Sequence, residues 1–203
     1  MSGVTYRPLA REDVREAARL HRLAFPGFFL SQLGEGFLRE FYAAFLGPGS
    51  VTVVARDDSG ALLGVVVGHV APDGFFRRLL VRRWYAFAFQ SLRLVVRQPR
   101  VVPRLFRALT YRGQVPDQPR GALLSSICTS EEARGTGVGR ELIDRWTREL
   151  AASGGTDAFL TTDATDNDAV NAFYVRAGWR PAGSFTTPEG RSMNTYTWQD
   201  DPA

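Results

Sequence analysis

The sequence predicts a single layered α/β (α+β) domain in which helices flank one sheet. Three patterns support this fold class: an antiparallel hairpin over 51–71, a strand, glycine-rich turn and helix over 122–150, and another strand and helix over 157–178. The predicted order is βααββ, a basic helical insert, and βαβαββ. The chain has 203 residues, a length typical of one domain, so we assign 1–203 to a single domain that contains the insert at 75–120.

The N-terminal half supplies the first strand, two helices and the hairpin. Residues 3–9 alternate between apolar and polar side chains, which predicts a strand. Asp13 is placed to cap a helix that ends before Pro26-Gly27. Apolar residues at 1-4-5 spacing over 37–45 predict a second helix, and Asp58-Ser59-Gly60 supplies the hairpin turn.

The C-terminal half repeats the alternation of strand and helix. Residues 122–130 and 157–164 predict two strands, and the first is followed by a helix with a continuous apolar face. Asp166 is placed to cap a further helix that runs through Val175. The residues from 180 to 199 predict a closing pair of strands.

The composition excludes several kinds of site. One cysteine cannot form a disulfide within the chain, and one cysteine with two histidines does not supply the usual zinc ligands, so we predict no metal. All 25 basic residues are arginine, which excludes a P-loop lysine and a Schiff base. No apolar run reaches the roughly 18–20 residues of a membrane span, and the first residues do not resemble a signal peptide. We therefore expect no transmembrane segment and a cytoplasmic protein.

The positive charge is concentrated in the insert. Residues 77–120 hold eleven arginines and one acid, a net charge of +10, whereas the whole chain carries +4. Large apolar residues alternate with arginines over 75–112, which predicts short amphipathic helices. One interpretation is that these helices pack on the domain, or on the second subunit of a homodimer, and that their arginines are simply exposed to solvent. The other is that the arginine face binds a small anionic acceptor. Peripheral membrane contact through 75–112 stays open, and nucleic acid is not expected as a partner.

A glycine-rich turn, RGTGVGR at 134–140, lies between a predicted strand and a predicted helix. Its glycines allow backbone N–H groups to converge on an anion, and the helix N-terminus with Arg134 and Arg140 adds positive charge. The turn therefore fits a pyrophosphate, or it serves only as a tight connection. Its glycine spacing differs from GxGxxG, which argues against a dinucleotide-binding fold.

A second motif, NDAVNAFYVRAGW, follows at 167–179. Together the two motifs resemble the GNAT superfamily of acyl-CoA-dependent N-acetyltransferases. The resemblance is strongest over 123–180, looser over 3–71 and 181–199, and absent from 75–120. It implies a mixed, mostly antiparallel, splayed central sheet. It also implies acetyl-CoA as co-substrate and direct transfer of the acetyl group to a primary amine.

The resemblance also implies which residues bind CoA. The turn would bind the pyrophosphate, the strand before it would pair through its backbone with the pantetheine arm, and the start of the later helix would contact the same region. The implied CoA-binding residues are Ile127, Cys128, Thr129, Arg134, Gly135, Thr136, Gly137, Val138, Gly139, Arg140, Asn167 and Asn171.

The same resemblance implies that Tyr174 protonates the departing thiolate, a task that suits an ordinary tyrosine pKa; the alternative is a core tyrosine. Many GNAT proteins carry a general-base glutamate on the central strand, but no acid lies between Asp117 and Glu131 in this chain. Asp163, at the end of the following strand, is the first candidate for the base. The further candidates are His21 and His69.

The segment FFLSQLGEGFLREFY at 28–42 is similar to the first helices of GNAT enzymes from surface-polysaccharide and amino-sugar pathways. This likeness favours a small-molecule amine acceptor, such as an amino sugar. It places Phe28, Phe29 and Leu30 in a loop that lines the acceptor pocket. Because the strand glutamate is missing, the alternative function is a CoA-binding sensor or docking module without catalysis.

Overall fold

The computed structural model describes residues 3–72, 74–75, 119–187 and 190–200. Nearly all of the basic insert predicted over 75–120 lies outside these described residues. The strands are β1 (Val4–Arg7), β2 (Ser50–Asp57), β3 (Leu62–His69), β4 (Ala122–Thr129), β5 (Asp157–Asp163), β6 (Arg180–Thr186) and β7 (Ser192–Gln199). The helices are α1 (Val14–Ala24), α2 (Phe29–Gln32), α3 (Glu35–Ala44), α4 (Val138–Ala152) and α5 (Asp168–Arg176).

The strands form one sheet in the order β1-β2-β3-β4-β5-β7-β6. Every neighbouring pair is antiparallel except β4 and β5, which are parallel. This confirms the predicted mixed, mostly antiparallel sheet. The parallel pairing joins only Ala122 to Ala158 and Leu123 to Phe159, so the two strands separate beyond these residues. The sheet is therefore splayed between β4 and β5.

A β-bulge in β4 lies beside the point of separation. Val67 of β3 pairs with Ser126, but the next residue, Gly68, pairs with Leu124. Ser125 is therefore an extra residue in β4, and the strand bends there. Its hydroxyl oxygen is buried and has no hydrogen-bond partner among the described residues.

Helices α4 and α5 cover one face of the sheet. The Trp146 ring of α4 is fully buried, and its indole N–H donates to the Val51 carbonyl at 2.9 Å. Gly68 leaves the room for this ring, because a Cβ there would collide with the ring and with the Leu123 carbonyl. Trp179 packs beside Trp146, with 6.4 Å between ring centroids. The large side chains that fill this face therefore fix α4 to β2 and β3.

Helices α1 and α3 cover the other face. Apolar residues of α3 at 1-4-5 spacing, such as Leu38, Phe41 and Tyr42, are buried against α1 and the sheet. Val65 and Val67 of β3 are fully buried under these helices. In the described part of the chain, no helix is long and apolar enough to cross a membrane.

Three local expectations need correction. Asp13 occupies the predicted N-cap position of α1, but its side chain makes no cap hydrogen bond to that helix; it accepts the backbone N–H of Ala10 instead. The cap residue of α5 is Asn167, because Asp166 adopts left-handed angles with φ of 53°. Residues 28–30 do not form a loop throughout, since α2 begins at position 29.

The carboxylate of Asp13 joins β1, β2 and the turn before α1. It accepts hydrogen bonds from Arg7 at 2.6 and 2.8 Å and from Arg56 at 2.6 and 3.1 Å, and its side chain is fully buried. Burial alone would raise the pKa of Asp13, but the hydrogen bonds from Arg7, the Ala10 N–H and Arg56 prevail and lower it. A buried carboxylate held in this way ties three chain segments together.

We expect Asp13→Asn to destabilise the protein by about 3–5 kcal/mol at neutral pH, because two arginines lose a buried partner. Above the ordinary carboxyl pKa of 3.8 the stabilisation is complete, and it is lost as pH falls through the lower folded-state value. Thermal or denaturant unfolding at several pH values checks this. Glu12→Gln is the matched control, because Glu12 pairs with the same Arg7 but its side chain is 76% exposed, and we expect it to cost under about 1 kcal/mol. A penalty for Asp13→Asn equal to the control's would refute the assignment.

Candidate functional site

The glycine-rich turn leads directly into the N-terminus of α4. Gly135 and Gly137 have φ of 75° and 92°, values that favour glycine, and Gly137 is the cap residue of the helix. No side chain in the described part of the protein makes a cap hydrogen bond to this helix. The first N–H groups of α4 therefore have no partner within the helix and point out of its exposed N-terminus. Thr136 contributes to the shape of the turn by donating from its hydroxyl to the Ala133 carbonyl at 2.8 Å.

The two arginines of the turn differ. Arg134 is exposed, whereas the Arg140 side chain binds Asp144, one turn further along α4, with Nε 2.8 and 2.9 Å from the carboxylate oxygens. Arg140 also donates to the Arg176 carbonyl at the end of α5. The side chain of Arg140 therefore fastens α4 to α5. Its backbone N–H remains part of the helix N-terminus.

The open edge of β4 faces the gap beside β5. Ser130 donates its backbone N–H to Leu63 of β3, and directions alternate along a strand. The N–H and C=O groups of Ile127 and Thr129 therefore point away from β3, toward the side where β5 has separated. These two residues can pair with an extended ligand as a strand would.

Cys128 does not fit this role. Its position in the alternation directs its backbone toward Val65 of β3, with which it pairs. Its thiol is buried in the cluster of α1 and α3, 3.7 Å from the Tyr42 hydroxyl. Burial raises the pKa of Cys128 to about 12, so the thiolate is scarce at neutral pH. The predicted CoA contact through Cys128 is replaced by a packing role.

Asn167 and Asn171 both anchor the end of β5. The side-chain amide of each donates to the Asp163 carbonyl, at 3.0 and 3.1 Å. The Asn171 oxygen also accepts from Asn194 at 3.1 Å and from the Tyr196 hydroxyl at 2.9 Å, so its amide is used within the protein. This argues against Asn171 as a CoA ligand. No donor to the Asn167 side-chain oxygen is found among the described residues, and that oxygen can serve a ligand.

Tyr174 lies on α5 and is buried among aromatic rings. Tyr196, Phe173 and Trp179 surround it at centroid distances of 5.7, 5.4 and 6.4 Å. Burial and the neighbouring Tyr196 raise the pKa of Tyr174, which corrects the expectation of an ordinary value. The phenol stays protonated at neutral pH and is a weaker acid than a solvated tyrosine.

Asp163 is engaged by a cation. Its carboxylate accepts two hydrogen bonds of 2.6 Å from Arg191 at the start of the β7 segment. A proton would have to displace this guanidinium, which argues against Asp163 as a general base. The Arg191 guanidinium also lies over the Phe28 ring, 5.3 Å from its centroid. Arg191 therefore links the end of β5 to the segment between α1 and α3.

The three residues predicted to line the acceptor pocket have different surroundings. Phe28 is 42% exposed and borders this ion pair. Leu30 is partly buried and packs against the cluster of α1 and α3, so it supports the segment more than it lines a surface. Position 29 begins α2, and the Phe29 side chain lies outside the described residues.

A buried polar cluster, missed in the sequence, lies under β4 on the α1 and α3 face. His21 Nδ1 is 3.0 Å from the Tyr42 hydroxyl and 3.4 Å from Ser126 Oγ. Ser126 is the residue after the bulge. The other histidine, His69, lies at the far end of β3, where its ring packs 4.3 Å from Phe75 and accepts the Ala71 N–H. No group of three or more metal-ligating side chains occurs in the described ranges.

Comparison with known proteins agrees with this geometry. Residues 104–179 match the sequence model of the acetyltransferase (GNAT) family, and no curated protein matches the chain. A solved structure assigned to the GNAT family, from Desulfovibrio desulfuricans, has 15% identity and a TM-score of 0.62 over 97% of this chain and 99% of its own. The Escherichia coli ribosomal-protein-S18-alanine N-acetyltransferase has 16% identity and a TM-score of 0.61 over 99% and 96%.

A third structure was solved with a ligand. The Salmonella typhimurium protein yncA, with its cofactor acetyl-CoA, has 11% identity and a TM-score of 0.60 over 98% of this chain and 95% of its own. At these identities the structures establish the fold, and the family match covers both motifs. The resemblance drawn from the sequence is thereby confirmed.

We expect Gly137→Val to abolish acetyl-CoA binding, because a side chain there would cover the helix N-terminus predicted to bind the phosphates. A Cβ at Gly137 meets no atom within 4 Å, so the cost to folding is that of the positive φ alone, roughly 1–3 kcal/mol. Isothermal titration with acetyl-CoA measures the loss. Gly154→Val is the matched control, since Gly154 has φ of 83° and similar open space at the other end of α4. Tight binding by Gly137→Val would exclude this turn as the phosphate site.

Proposed function

We propose that this chain, which matches the GNAT acetyltransferase family model over residues 104–179 and shares the fold of GNAT structures, transfers the acetyl group of acetyl-CoA directly to the primary amine of a small molecule, such as an amino sugar. The observation that carries this proposal is the gap between β4 and β5, which opens beside the exposed N-terminus of α4. An extended thioester laid in this gap has a phosphate site at one end and the bulge of β4 at the other.

The described residues fit CoA at three points. The N–H groups from Gly137 to Arg140 can donate to the pyrophosphate, with Arg134 nearby. Ile127 and Thr129 offer backbone groups to the pantetheine amides, and Asn167 offers a side-chain oxygen. When bound, acetyl-CoA supplies the acetyl group as an activated thioester.

The protein groups at the gap can serve the transfer step. The amine nitrogen attacks the thioester carbonyl, and a backbone N–H on the open edge of β4, such as that of Ile127, donates to the carbonyl oxygen as negative charge develops. Holding amine and thioester side by side supplies much of the rate. Tyr174 protonates the departing sulfur.

The acceptor end lies beside Phe28 and Arg191. The Phe28 ring and the guanidinium over it form a flat, half-exposed surface, and the carboxylate of Asp163 is held there. Aromatic and charged groups in this combination suit a polar ring that carries an amine. This favours a small acceptor over a protein chain.

The second candidate is a CoA-binding sensor without turnover. The observation that favours it is the lack of any acid on β4, where many GNAT proteins carry their base. Thiol release separates the two functions, because a sensor binds acetyl-CoA without consuming it.

We expect thiol release from acetyl-CoA to depend on a small amine. Glucosamine should support turnover, and a lysine-containing peptide should not, because the proposed acceptor surface suits a small ring. Colorimetric detection of free CoA measures both, and mass spectrometry identifies the acetylated product. Tight acetyl-CoA binding without thiol release on any amine would favour the sensor.

We expect Tyr174→Phe to lower kcat by roughly 10²- to 10⁴-fold with little change in acetyl-CoA affinity, because the acid is lost and the ring remains. Tyr196→Phe is the matched control: its ring contacts Tyr174, but its hydroxyl serves Asn171. We expect the control to lose about 1 kcal/mol of stability and to keep kcat. Equal kcat for Tyr174→Phe and the wild-type chain would remove Tyr174 from the chemistry.

A further inference from the structure

The buried polar cluster under β4 calls for a functional explanation. His21, Tyr42 and Cys128 are at least nine-tenths buried in an otherwise apolar cluster, where uncompensated polar groups are costly. The imidazole is surrounded by rings, with Phe25, Tyr42 and Phe41 at centroid distances of 5.0, 5.9 and 6.2 Å. Packing alone would be served as well by an apolar side chain.

The cluster reaches the proposed reaction gap through one residue. Ser126 follows the bulge in β4, and its neighbour Ile127 directs its backbone into the gap. The Ser126 hydroxyl is partly buried, on the face of the sheet that carries α1 and α3, and lies 3.4 Å from His21 Nδ1. The Tyr42 hydroxyl lies 3.0 Å from the same ring nitrogen and also interacts with Ser126.

The same cluster is continuous with the acceptor end. The His21 ring contacts Phe25 at 5.0 Å between centroids, and Phe25 contacts Phe28 at 5.0 Å. Phe28 is half-exposed and lies under Arg191. A row of aromatic rings therefore runs from the proposed acceptor surface to the imidazole. No carboxylate on β4 competes for the role of base.

We propose that Ser126 and His21 form the proton relay that replaces the missing strand carboxylate: Ser126 contacts the acceptor amine, and His21 acts through it as a positioning residue and final proton acceptor. This inference rests on the proposed acetyltransferase function. It assigns to this chain a base made of two neutral groups on different elements, β4 and α1.

In the proposed transfer, the acceptor amine loses two protons in all, one to the relay and one to Tyr174. The acceptor ammonium gives one proton to Ser126 Oγ as the Ser126 hydroxyl passes its own proton to His21 Nδ1. The nitrogen lone pair then forms the C–N bond, and the C–S bond breaks with its electron pair on sulfur. Tyr174 gives a proton to the thiolate and takes the second proton of the nitrogen. His21 returns its proton to solvent through Ser126.

The relay predicts a specific pattern of rates. His21→Asn keeps a hydrogen-bonding group near the position of Nδ1 but cannot take a proton, and Ser126→Ala removes the hydroxyl alone. We expect each to lower kcat roughly 10²- to 10⁴-fold with glucosamine and to leave acetyl-CoA affinity unchanged. The double variant should fall no further than either single variant, because the two residues act in one path.

The structure places His69 at the far end of β3, against Phe75 and Ala71, and the relay assigns it no part in the chemistry. His69→Asn is therefore the matched control for a buried histidine, and we expect its kcat to equal that of the wild-type chain. Hydroxylamine, which is neutral at pH 7, should restore enzyme-dependent turnover in His21→Asn, measured above its spontaneous reaction with acetyl-CoA, because it needs no prior deprotonation. A merely structural role would lower the rate with both amines alike. Unchanged kcat in His21→Asn or Ser126→Ala, additive losses in the double variant, or equal losses with both amines would overturn the relay.

A measurement without any acceptor guards against a variant that fails to fold. Long-range nitrogen NMR of the wild-type chain, with His69→Asn to assign the two histidine signals, reports which ring nitrogen carries the proton. The relay requires Nδ1 of His21 to lack a proton in the resting protein, and a protonated Nδ1 would overturn it. If the wild-type chain binds acetyl-CoA but turns over no amine, the proposed function fails together with the relay. If the wild-type chain turns over an amine and His21→Asn and Ser126→Ala keep its kcat, the relay is refuted and the proposed function stands.

Discussion

Strands β4 and β5 are parallel neighbours that pair through only two residue pairs, Ala122 with Ala158 and Leu123 with Phe159. The open edge of β4 and the gap follow from this early separation, and the bulge at Ser125 lies beside it. A gap between strands exposes backbone groups that would otherwise pair, and such groups are satisfied by water or by a ligand. The proposed thioester site is therefore a break in the hydrogen bonding of the sheet, and helices pack on both faces of that sheet.

The end of β5 is held away from β4 by side chains. Ala164 donates its N–H to Ser192 of the β7 segment, so the Asp163 carbonyl on the same peptide points to the opposite side, toward β4. There it accepts from the amides of Asn167 and Asn171. The two asparagines take the place of the missing strand partner. The second motif thus helps to hold the two strands apart.

Much of the fold could be predicted from the sequence, because strand alternation and helical spacing are local signals. The use of individual side chains was harder to predict. The i,i+4 spacing of Arg140 and Asp144 was a readable sign that this arginine is occupied. The bond between Ser126 and His21 spans 105 residues in the sequence, and no local pattern reports it. The same holds for Asp13 and Arg56, which are 43 residues apart.

The apolar surroundings of β4 explain why a base there would be neutral. A carboxylate beside Leu123 and the rings around His21 would be desolvated in its charged form, at a cost of several kcal/mol without a paired cation. A hydroxyl and an imidazole enter the same cluster uncharged, and their hydrogen bonds to each other and to Tyr42 satisfy them. The surroundings that disfavour a strand carboxylate therefore admit a neutral hydroxyl and a neutral imidazole.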